Sequence, residues 1–245
     1  MIVTARLPVA ILAGGLATRL YPETRDIPKS MLIVAGEPFI AHQMRLLAGQ
    51  GYRRIIMCIG NLGEQIEDYL RDGAAFDVEV AYSRETPESL LGTGGALRQA
   101  LPLLGEAFLV LYGDSYLPTP FGPAEAHFRA SGALGLMTVF RNEGRWDISN
   151  VHYRDGRIVA YSKSQPAPDM RFIDYGLGGL RREALLRYDL GARFDLAEVY
   201  AGLARDGQLT GYEASERFYE IGSFQGWVET NTYLSHSTQN AGRKK

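Results

Sequence analysis

The chain has 245 residues, which is enough for one large α/β domain or two small ones with a sizeable hydrophobic core. Its 26 basic and 28 acidic residues give a formal net charge of -2, which excludes the broad basic surface of nucleic-acid and anionic-lipid binders. No stretch approaches the ~20 apolar residues of a membrane span, and the N-terminus lacks the pattern of a signal peptide. We therefore expect a soluble cytoplasmic protein with no nucleic-acid or membrane partner.

The first predicted element is a buried strand at residues 8–13, and the residues after it are suited to binding phosphate. Gly14 and Gly15 lack Cβ atoms, so the N–H groups of this turn can approach a polyphosphate closely. Arg19 and Lys29 add positive charge. An ordinary turn after a strand would also explain the two glycines. The turn has neither the three spaced glycines of a dinucleotide fingerprint nor the Lys-Ser or Lys-Thr of a P-loop, which speaks against a nicotinamide-dependent oxidoreductase.

Helices and strands then alternate through the first half of the chain. We predict helices at residues 38–49, 61–70 and 92–101 and strands at residues 54–59, 78–82 and 108–112. Asn61 is the expected N-cap of the second helix. Cys58, the only cysteine, lies in an apolar strand and is expected to be a buried core thiol rather than a nucleophile. The alternation predicts a mostly parallel sheet with helices on both faces and a ligand site at the carboxyl ends of its strands.

The second half of the chain mixes antiparallel elements into this plan. We predict helices at residues 121–131, 194–205 and 225–234, strands at residues 134–140 and 173–180, and a hairpin of residues 149–153 and 157–161 around Arg154-Asp155-Gly156. The residues from 235 onward are polar and end in Arg243-Lys244-Lys245, which is typical of a frayed tail. No internal repeat or linker is visible in the sequence, so we expect a single domain.

Two acidic residues are candidate metal ligands. Asp114 follows the most apolar strand, and a carboxylate at this strand end could hold Mg²⁺ against phosphates bound by the first loop. Glu220 lies between apolar residues and a glycine, and the two acids could share one metal ion. The alternatives are a turn or helix-capping role for Asp114 and a partly exposed strand position for Glu220.

Further candidates lie around the same predicted cleft. Gly92 and Gly94 open a helix, where they could let a planar base lie against the backbone, although glycine-rich helix starts also occur without ligands. Lys163 follows a strand and could extend toward the cleft, or it could be an ordinary solvated lysine. Asp174 and Gly178 could line the same cleft.

Taken in order, these motifs resemble those of the sugar-1-phosphate nucleotidyltransferases, which make nucleotide sugars. The matching segments are Leu12-Ala13-Gly14-Gly15 with Thr18-Arg19-Leu20, Pro28-Lys29, Leu91-Gly92-Thr93-Gly94-Gly95-Ala96-Leu97, Gly113-Asp114 and Glu220-Ile221-Gly222-Ser223. The resemblance covers residues 8 to 234, and it is greatest to bacterial D-glycero-D-manno-heptose 1-phosphate guanylyltransferases.

The resemblance implies a reaction and a role for each matching residue. A nucleoside triphosphate, with GTP favoured and CTP or UTP as alternatives, would react with a sugar 1-phosphate to give a nucleotide sugar and pyrophosphate. Leu12, Gly14, Gly15, Thr18 and Arg19 would hold the triphosphate, Lys29 would reach the α-phosphate, and Gly92 and Gly94 would border the base. Asp114 and Glu220 would bind Mg²⁺, while Lys163, Asp174 and Gly178 would bind the sugar phosphate.

The resemblance also implies a fold, a Rossmann-like three-layer sandwich of the GT-A-like nucleotidyltransferase type with a small antiparallel insertion. We expect one domain over residues 1–235, with a nucleotide-binding half at about 1–120, a sugar-phosphate-binding half at about 121–235 and a polar tail at 236–245. The protein would be a monomer or a small homo-oligomer.

The chain departs from the family pattern at several positions. Ala17 replaces a glycine of the loop, Ser30 replaces a proline after Lys29, and Ser162 and Ser164 replace the Glu and Pro that flank the lysine at 163. Glu220 stands where the family has Asp. These departures keep open an alternative, a non-catalytic nucleotide or sugar-phosphate sensor that retains the fold.

Overall fold

The structure is a computed structural model that describes residues 5–86, 90–146 and 148–242, the last six of these by their backbone alone. Its strands are β1 (Val9–Ala13), β2 (Ile33–Val34), β3 (Glu37–Pro38), β4 (Arg54–Ile59), β5 (Glu79–Arg84), β6 (Ala107–Tyr112), β7 (Ser115–Tyr116), β8 (Gly135–Arg141), β9 (Val151–Arg154), β10 (Arg157–Tyr161), β11 (Phe172–Arg181), β12 (Leu209–Ala214) and β13 (Tyr219–Glu220). Its α-helices are α1 (Phe39–Gly49), α2 (Gly63–Leu70), α3 (Gly92–Leu104), α4 (Phe121–Ser131), α5 (Glu183–Leu186), α6 (Leu196–Arg205) and α7 (Phe224–Gly242).

A nine-stranded sheet, in the order β5-β4-β1-β6-β11-β8-β12-β10-β9, forms the centre of the molecule. β1 runs parallel to both β4 and β6, β4 runs parallel to β5, and β8 runs parallel to β12. β11 is antiparallel to β6 and β8, and β10 is antiparallel to β9 and β12. Within this sheet, every strand except β11 and β10 therefore points the same way. The predicted mixed, mostly parallel sheet is confirmed.

Helices cover both faces of this sheet because successive residues of its central strands point to opposite sides. In β1, Ala10 belongs to the core beneath α3 and α6, whereas Val9 and Ile11 belong to the core beneath α1, α2 and α4. All three residues have no exposed surface. The result is the expected three-layer α/β sandwich.

The hairpin of β9 and β10 is the predicted antiparallel insertion. Arg157 pairs with Arg154, and Asp155 and Gly156 turn the chain with φ angles of 51° and 77°. Both angles are positive, as a tight two-residue hairpin turn requires.

Several details differ from the predictions. Asn61 is not the N-cap of α2: Leu62 occupies that position in a left-handed conformation, and the Asn61 nitrogen donates to the Gly14 carbonyl oxygen at 3.4 Å. The helix starts so close to β4 that a Cβ at Gly63 would lie 2.9 Å from Ile59.

The other differences concern helix lengths and elements that were not predicted, among them the two-residue strands and the short helix α5. α3 continues through Pro102 to Leu104, and α7 continues to Gly242 instead of ending at residue 234. β12 was not predicted, and it lies inside the sheet beside β8. Arg243, Lys244 and Lys245 lie outside the described residues.

Cys58 is 1% exposed, and burial raises the pKa of its thiol to about 12, which agrees with the expected buried thiol. Among the described helices, none is long and apolar enough to cross a membrane.

Candidate active site

A cavity of about 420 Å³ opens at the carboxyl ends of β1, β4 and β6, where the fold brings the predicted phosphate loop and Asp114 together. Of the predicted site residues, those that line it are Leu12, Gly14, Gly15, Thr18, Lys29, Gly92 and Asp114. It is also lined by residues that the sequence interpretation missed, among them Glu85, Thr93, Tyr112 and Arg193. This position is where ligands bind in open parallel sheets.

The loop after β1 has a backbone that only small residues permit. A Cβ at Gly14 would lie 2.9 Å from Glu85 Oε2 and 3.1 Å from the nitrogen of Gly60, whereas Gly15 faces open space. Ala17 has a φ of 52° and a ψ of 30°, which is the left-handed conformation that glycine adopts without steric cost. The hydroxyl of Thr24, which is 1% exposed, donates to the Ala17 carbonyl at 2.8 Å and holds this turn. The alanine therefore keeps a glycine-like backbone.

Lys29 and Asp114 form an ion pair at the edge of the cavity, with 2.5 Å between Nζ and Oδ2. Each side chain is 22% exposed, so both can reach a ligand. Lys29 begins the 3₁₀ turn Lys29–Met31, and Asp114 lies between β6 and β7. The ion pair joins two segments that are 85 residues apart in the sequence.

Gln43 of α1 holds the turn that carries Asp114. It has no exposed surface, and its Nε2 donates to the carbonyls of Tyr112 and Ser115 at 2.9 and 2.7 Å. These two carbonyls lie on either side of Asp114 in the sequence. This contact could not be predicted from the sequence, because a glutamine on a helix is usually exposed.

Glu220 is brought beside Asp114 by the short ladder of β13 and β7, in which it lies opposite Ser115. The Ile221 N–H donates to the Asp114 carbonyl at 2.9 Å. The Glu220 carboxylate accepts hydrogen bonds from the Gly222 N–H and, at 2.7 Å, from the Ser223 hydroxyl.

Gly222 marks the space that the two acids share. A Cβ there would lie 2.5 Å from Glu220 Oε2, 3.3 Å from Asp114 Oδ2 and 3.4 Å from a guanidinium nitrogen of Arg19. Arg19, Asp114 and Glu220 therefore converge, although they come from three distant segments.

The paired carboxylates fit a hard divalent cation, which prefers oxygen ligands and usually takes one or two carboxylates together with phosphate oxygens. The part of the chain that the structure describes holds no cluster of three or more His, Cys, Asp or Glu side chains suited to a metal ion. The two acids would therefore need phosphate or water to complete a coordination shell.

Gly92 and Gly94 occupy different surroundings. Gly92 lines the cavity, with a φ of 73°. Gly94 is buried against the ring of Phe194, and its N–H donates to the Phe194 carbonyl at 3.0 Å. The structure places Gly94 where α3 packs against the segment before α6, away from the cavity lining.

Glu85 follows β5 directly, as Asp114 follows β6. Its Oε1 accepts a hydrogen bond from the Leu91 N–H at 2.6 Å, and burial raises its pKa. An acidic residue directly after a strand, the pattern that singled out Asp114, could have identified Glu85 as well.

The three predicted sugar-side residues lie around β11 and its neighbours. Burial raises the pKa of Asp174 to about 6, while the Gly176 N–H and Lys163 act in the opposite direction. Lys163 is 65% exposed, and its Nζ lies 3.9 Å from Asp195 Oδ2. Gly178 lies inside the sheet, beneath the hydroxyl of Tyr200. Tyr112 lies between the nucleotide cavity and the predicted sugar side. It lines the cavity, and its pKa is raised by burial and, in addition, by Asp174.

Comparisons with known proteins agree with this arrangement. Residues 9–145 match the family model described as nucleotidyl transferase. Over 219 residues the chain is 33% identical to the N-acetylmuramate alpha-1-phosphate uridylyltransferase of Neisseria meningitidis serogroup B, covering 87% of this chain and 92% of that protein.

Two solved structures share the fold. The complex of HddC from Yersinia pseudotuberculosis with GMP-PN has a TM-score of 0.76 at 22% identity, covering 94% of this chain and 100% of that one. A UDP-glucose pyrophosphorylase from Acinetobacter baumannii has a TM-score of 0.75 at 18% identity, covering 97% and 99%. The chain therefore belongs to the nucleotidyl transferase family, and it is an enzyme of the sugar-1-phosphate nucleotidyltransferase class.

Proposed function

We propose that this enzyme transfers a nucleotidyl group, guanylyl by preference, from a nucleoside triphosphate to a sugar 1-phosphate and releases pyrophosphate. The observation that carries the proposal is the ion pair of Lys29 and Asp114 beside the glycine loop, with Arg19 and Glu220 next to it. Cationic and metal-binding groups around one anion-binding loop are what phosphoryl transfer requires.

The phosphates would be held by the loop after β1. Gly14 and Gly15 line the cavity, and the Arg19 guanidinium approaches the same Gly222 position as the Asp114 carboxylate. Lys29 would sit beside the α-phosphate and neutralise charge there as the bond to pyrophosphate breaks. The attacking oxygen belongs to a phosphate that is already ionised at neutral pH, so the enzyme needs to position the two substrates and does not need a general base.

Asp114 and Glu220 would hold Mg²⁺, since one oxygen of each carboxylate lies close to the same position beside Gly222. When bound, Mg²⁺ would neutralise phosphate charge and help to orient the triphosphate. Gln43 would keep Asp114 aligned, because its side chain donates hydrogen bonds to backbone carbonyls on both sides of that residue.

The preference for GTP is supported by the position of Glu85. Its carboxylate lines the cavity, with one oxygen bound to the Leu91 N–H and the other near Gly14. A carboxylate accepts hydrogen bonds, and guanine presents two adjacent donors, N1–H and N2–H, on one edge. Uracil presents one donor there and cytosine presents its amino group, so UTP and CTP are the alternatives.

On the sugar side, Lys163 would bind the phosphate of the sugar and Asp174 would border the sugar itself. Gly178 lies beneath the Tyr200 hydroxyl, so it would act only by leaving room for that side chain. A flexible exposed lysine suits a phosphate that must enter and leave. We also propose a cytoplasmic location, because the chain has a single, buried cysteine.

A pyrophosphate-release screen tests the proposal. The five common nucleoside triphosphates are each combined with heptose, mannose, glucose and amino-sugar 1-phosphates, with and without Mg²⁺. We expect GTP with one of these sugars to give the fastest Mg²⁺-dependent release. If calorimetry shows nucleotide binding while no combination releases pyrophosphate, the protein is a non-catalytic sensor and the proposal is wrong.

A further inference from the structure

Ser30 carries a buried hydroxyl beside the ion pair of Lys29 and Asp114. The residue is 3% exposed, yet it is one of those that line the cavity. Its Oγ is buried and makes no hydrogen bond with any part of the chain that the structure describes. Buried polar atoms almost always have a partner, so the missing partner requires an explanation.

The hydroxyl is attached to a fixed segment of backbone. Ser30 is the middle residue of the 3₁₀ turn Lys29–Met31. Two backbone hydrogen bonds of 2.8 and 3.0 Å, accepted by the carbonyls of Pro28 and Lys29, close this turn. The side chain itself is free to turn, because it can leave its present rotamer without breaking a hydrogen bond.

The neighbours of Ser30 indicate what its partner is. Lys29 precedes it directly, and Gly14, Gly15 and Thr18 line the same cavity. These are residues that we propose hold the phosphates of the nucleotide. A phosphate oxygen accepts hydrogen bonds, and a hydroxyl that donates to a charged oxygen makes one of the stronger hydrogen bonds in proteins. The partner that the free protein lacks would therefore arrive with the substrate.

We propose that Ser30 is a phosphate-binding residue of this enzyme: its hydroxyl turns toward the cavity and donates a hydrogen bond to the triphosphate of the bound nucleotide. The inference rests on the proposed function and adds a residue to its nucleotide site. Ser30 stands where the family pattern has a proline, which has no side-chain donor, so this contact belongs to this chain rather than to the family.

The proposal predicts opposite effects on stability and on binding. A buried hydroxyl without a partner destabilises the folded protein, so its removal should be stabilising. In the absence of ligand, Ser30→Ala should therefore raise the Tm by ~2–4 °C. The same variant should bind phosphates more weakly than the wild type.

A buried water is the structural alternative. Gln43 Oε1 is also buried without a hydrogen-bond partner, and α1 packs against the turn that contains Ser30. A water that joined Gln43 Oε1 to Ser30 Oγ would satisfy both oxygens. Ser30→Ala would then lower the Tm and leave phosphate binding unchanged.

Calorimetry of nucleotide binding tests the proposal. GTP and inorganic tripolyphosphate, each with Mg²⁺, are titrated into the wild type and into Ser30→Ala. Because the lost hydrogen bond is to a charged group, both dissociation constants should rise by the same factor, ~10- to 100-fold. Tripolyphosphate has no base, so an equal rise places the contact on the phosphates.

Thr210→Val is the matched control, because Thr210 also has a buried hydroxyl but has partners for it. Thr210 is 8% exposed, its hydroxyl donates to the Gly156 carbonyl at 3.2 Å, and it lies 2.8 Å from His127 Nε2. The residue is near the start of β12, whereas the cavity lies at the carboxyl ends of strands that run the same way. Thr210→Val should lower the Tm and leave both dissociation constants within about twofold of the wild type.

Three results would each overturn the inference while leaving the proposed function intact. One is a folded Ser30→Ala variant with unchanged dissociation constants. Another is weaker binding of GTP alone, which would place the hydroxyl against the nucleoside. The third is a Tm below that of the wild type, which would mean that the hydroxyl already has a partner in the free protein. Failure of the proposed function would instead be seen in the wild type, as no pyrophosphate release with any pair of substrates.

Discussion

On the nucleotide side of the cleft, Gly14, Gly15, Lys29 and Asp114 line the cavity. On the sugar side, Asp174 and Gly178 lie in β11, and Lys163 follows β10. Asp114 on the first side has a cationic partner at 2.5 Å, whereas burial raises the pKa of Asp174 on the second side to about 6 although Lys163 acts in the opposite direction.

This difference matches the ligands. A triphosphate has the same charge and shape whatever base it carries, so a loop of fixed N–H groups with a few charges can bind it. A sugar is distinguished by the positions of neutral hydroxyl groups, and those are read by individually placed side chains. Substitutions on the nucleotide side should therefore alter the rate of transfer, and substitutions on the sugar side should alter substrate choice.

Two lysine variants, one on each side of the cleft, test this difference most directly. Lys29→Ala should lower kcat by ~10²–10³, the loss seen when one preorganised electrostatic group is removed. Lys163→Ala should mainly raise the KM for the sugar phosphate, because this lysine is 65% exposed and lies on the sugar side. Steady-state kinetics with the verified substrate pair measure both. Near-normal kcat in Lys29→Ala would show that the ion pair with Asp114 is structural.

A second test asks whether Gln43 acts through Asp114. Gln43→Leu removes both hydrogen bonds that flank the acid, and loss of such outer contacts typically weakens metal affinity ~10- to 100-fold. The Mg²⁺ concentration for half-maximal activity should therefore rise by about tenfold or more.

Gln50, the residue directly after α1, offers the matched control. Its side chain also makes two backbone contacts, to the Thr119 carbonyl and the Phe121 N–H. Gln50→Leu should lower stability as Gln43→Leu does, yet leave the Mg²⁺ dependence unchanged. Equal shifts in both variants would mean that the Gln43 contacts are structural only.

The two sides also differed in how far the sequence predicted them. The glycine loop and Asp114 were predictable because each stands at the end of an apolar strand, and parallel strands bring their carboxyl ends to one edge. Lys29 was predictable as a basic residue shortly after the loop. Glu220 was a candidate from its place between apolar residues and a glycine, but its two-residue strand β13 carries no periodic signal that could place it beside Asp114.

The sugar side could not be found in this way. Tyr112 is an ordinary core residue in sequence, and the position of Asp174 relative to β6 depends on β11 running antiparallel between β6 and β8. β12 was not predicted because its sequence, Leu-Thr-Gly-Tyr-Glu-Ala, contains a glycine and mixes polar with apolar residues. The strand nevertheless lies inside the sheet.

A third prediction concerns stability on the sugar side. The pKa of Asp174 is about 6 in the folded protein and 3.8 as the reference for the unfolded chain, so the fold prefers the protonated acid. As pH rises from about 4 to above 6, the free energy of unfolding of the wild type should fall by about 1–3 kcal/mol because of this group. The Asp174→Asn variant should not show this fall. Urea unfolding at several pH values measures this difference.

The control for this prediction is Asp77→Asn, since the Asp77 side chain is 82% exposed. Its unfolding free energy, relative to the wild type, should change little over the same pH range. If the difference in unfolding free energy between Asp174→Asn and the wild type also stays constant with pH, Asp174 is solvated in the folded protein. The two sides of the cleft would then differ less in the burial of their acids.

The smallest expected effect distinguishes backbone strain from ligand binding on the nucleotide side. Ala17 and Ala35 both have left-handed backbones, with φ angles of 52° and 48°, but only Ala17 lines the cavity. Replacing either with glycine should relieve the steric cost of this conformation and raise stability by about 0.5–1 kcal/mol, after allowing for the more flexible unfolded chain. Only Ala17→Gly should lower the KM for the nucleoside triphosphate, because it removes a Cβ where the phosphates approach the loop. An unchanged KM in Ala17→Gly, with both variants stabilised alike, would mean that this loop already presents its N–H groups as a glycine loop does.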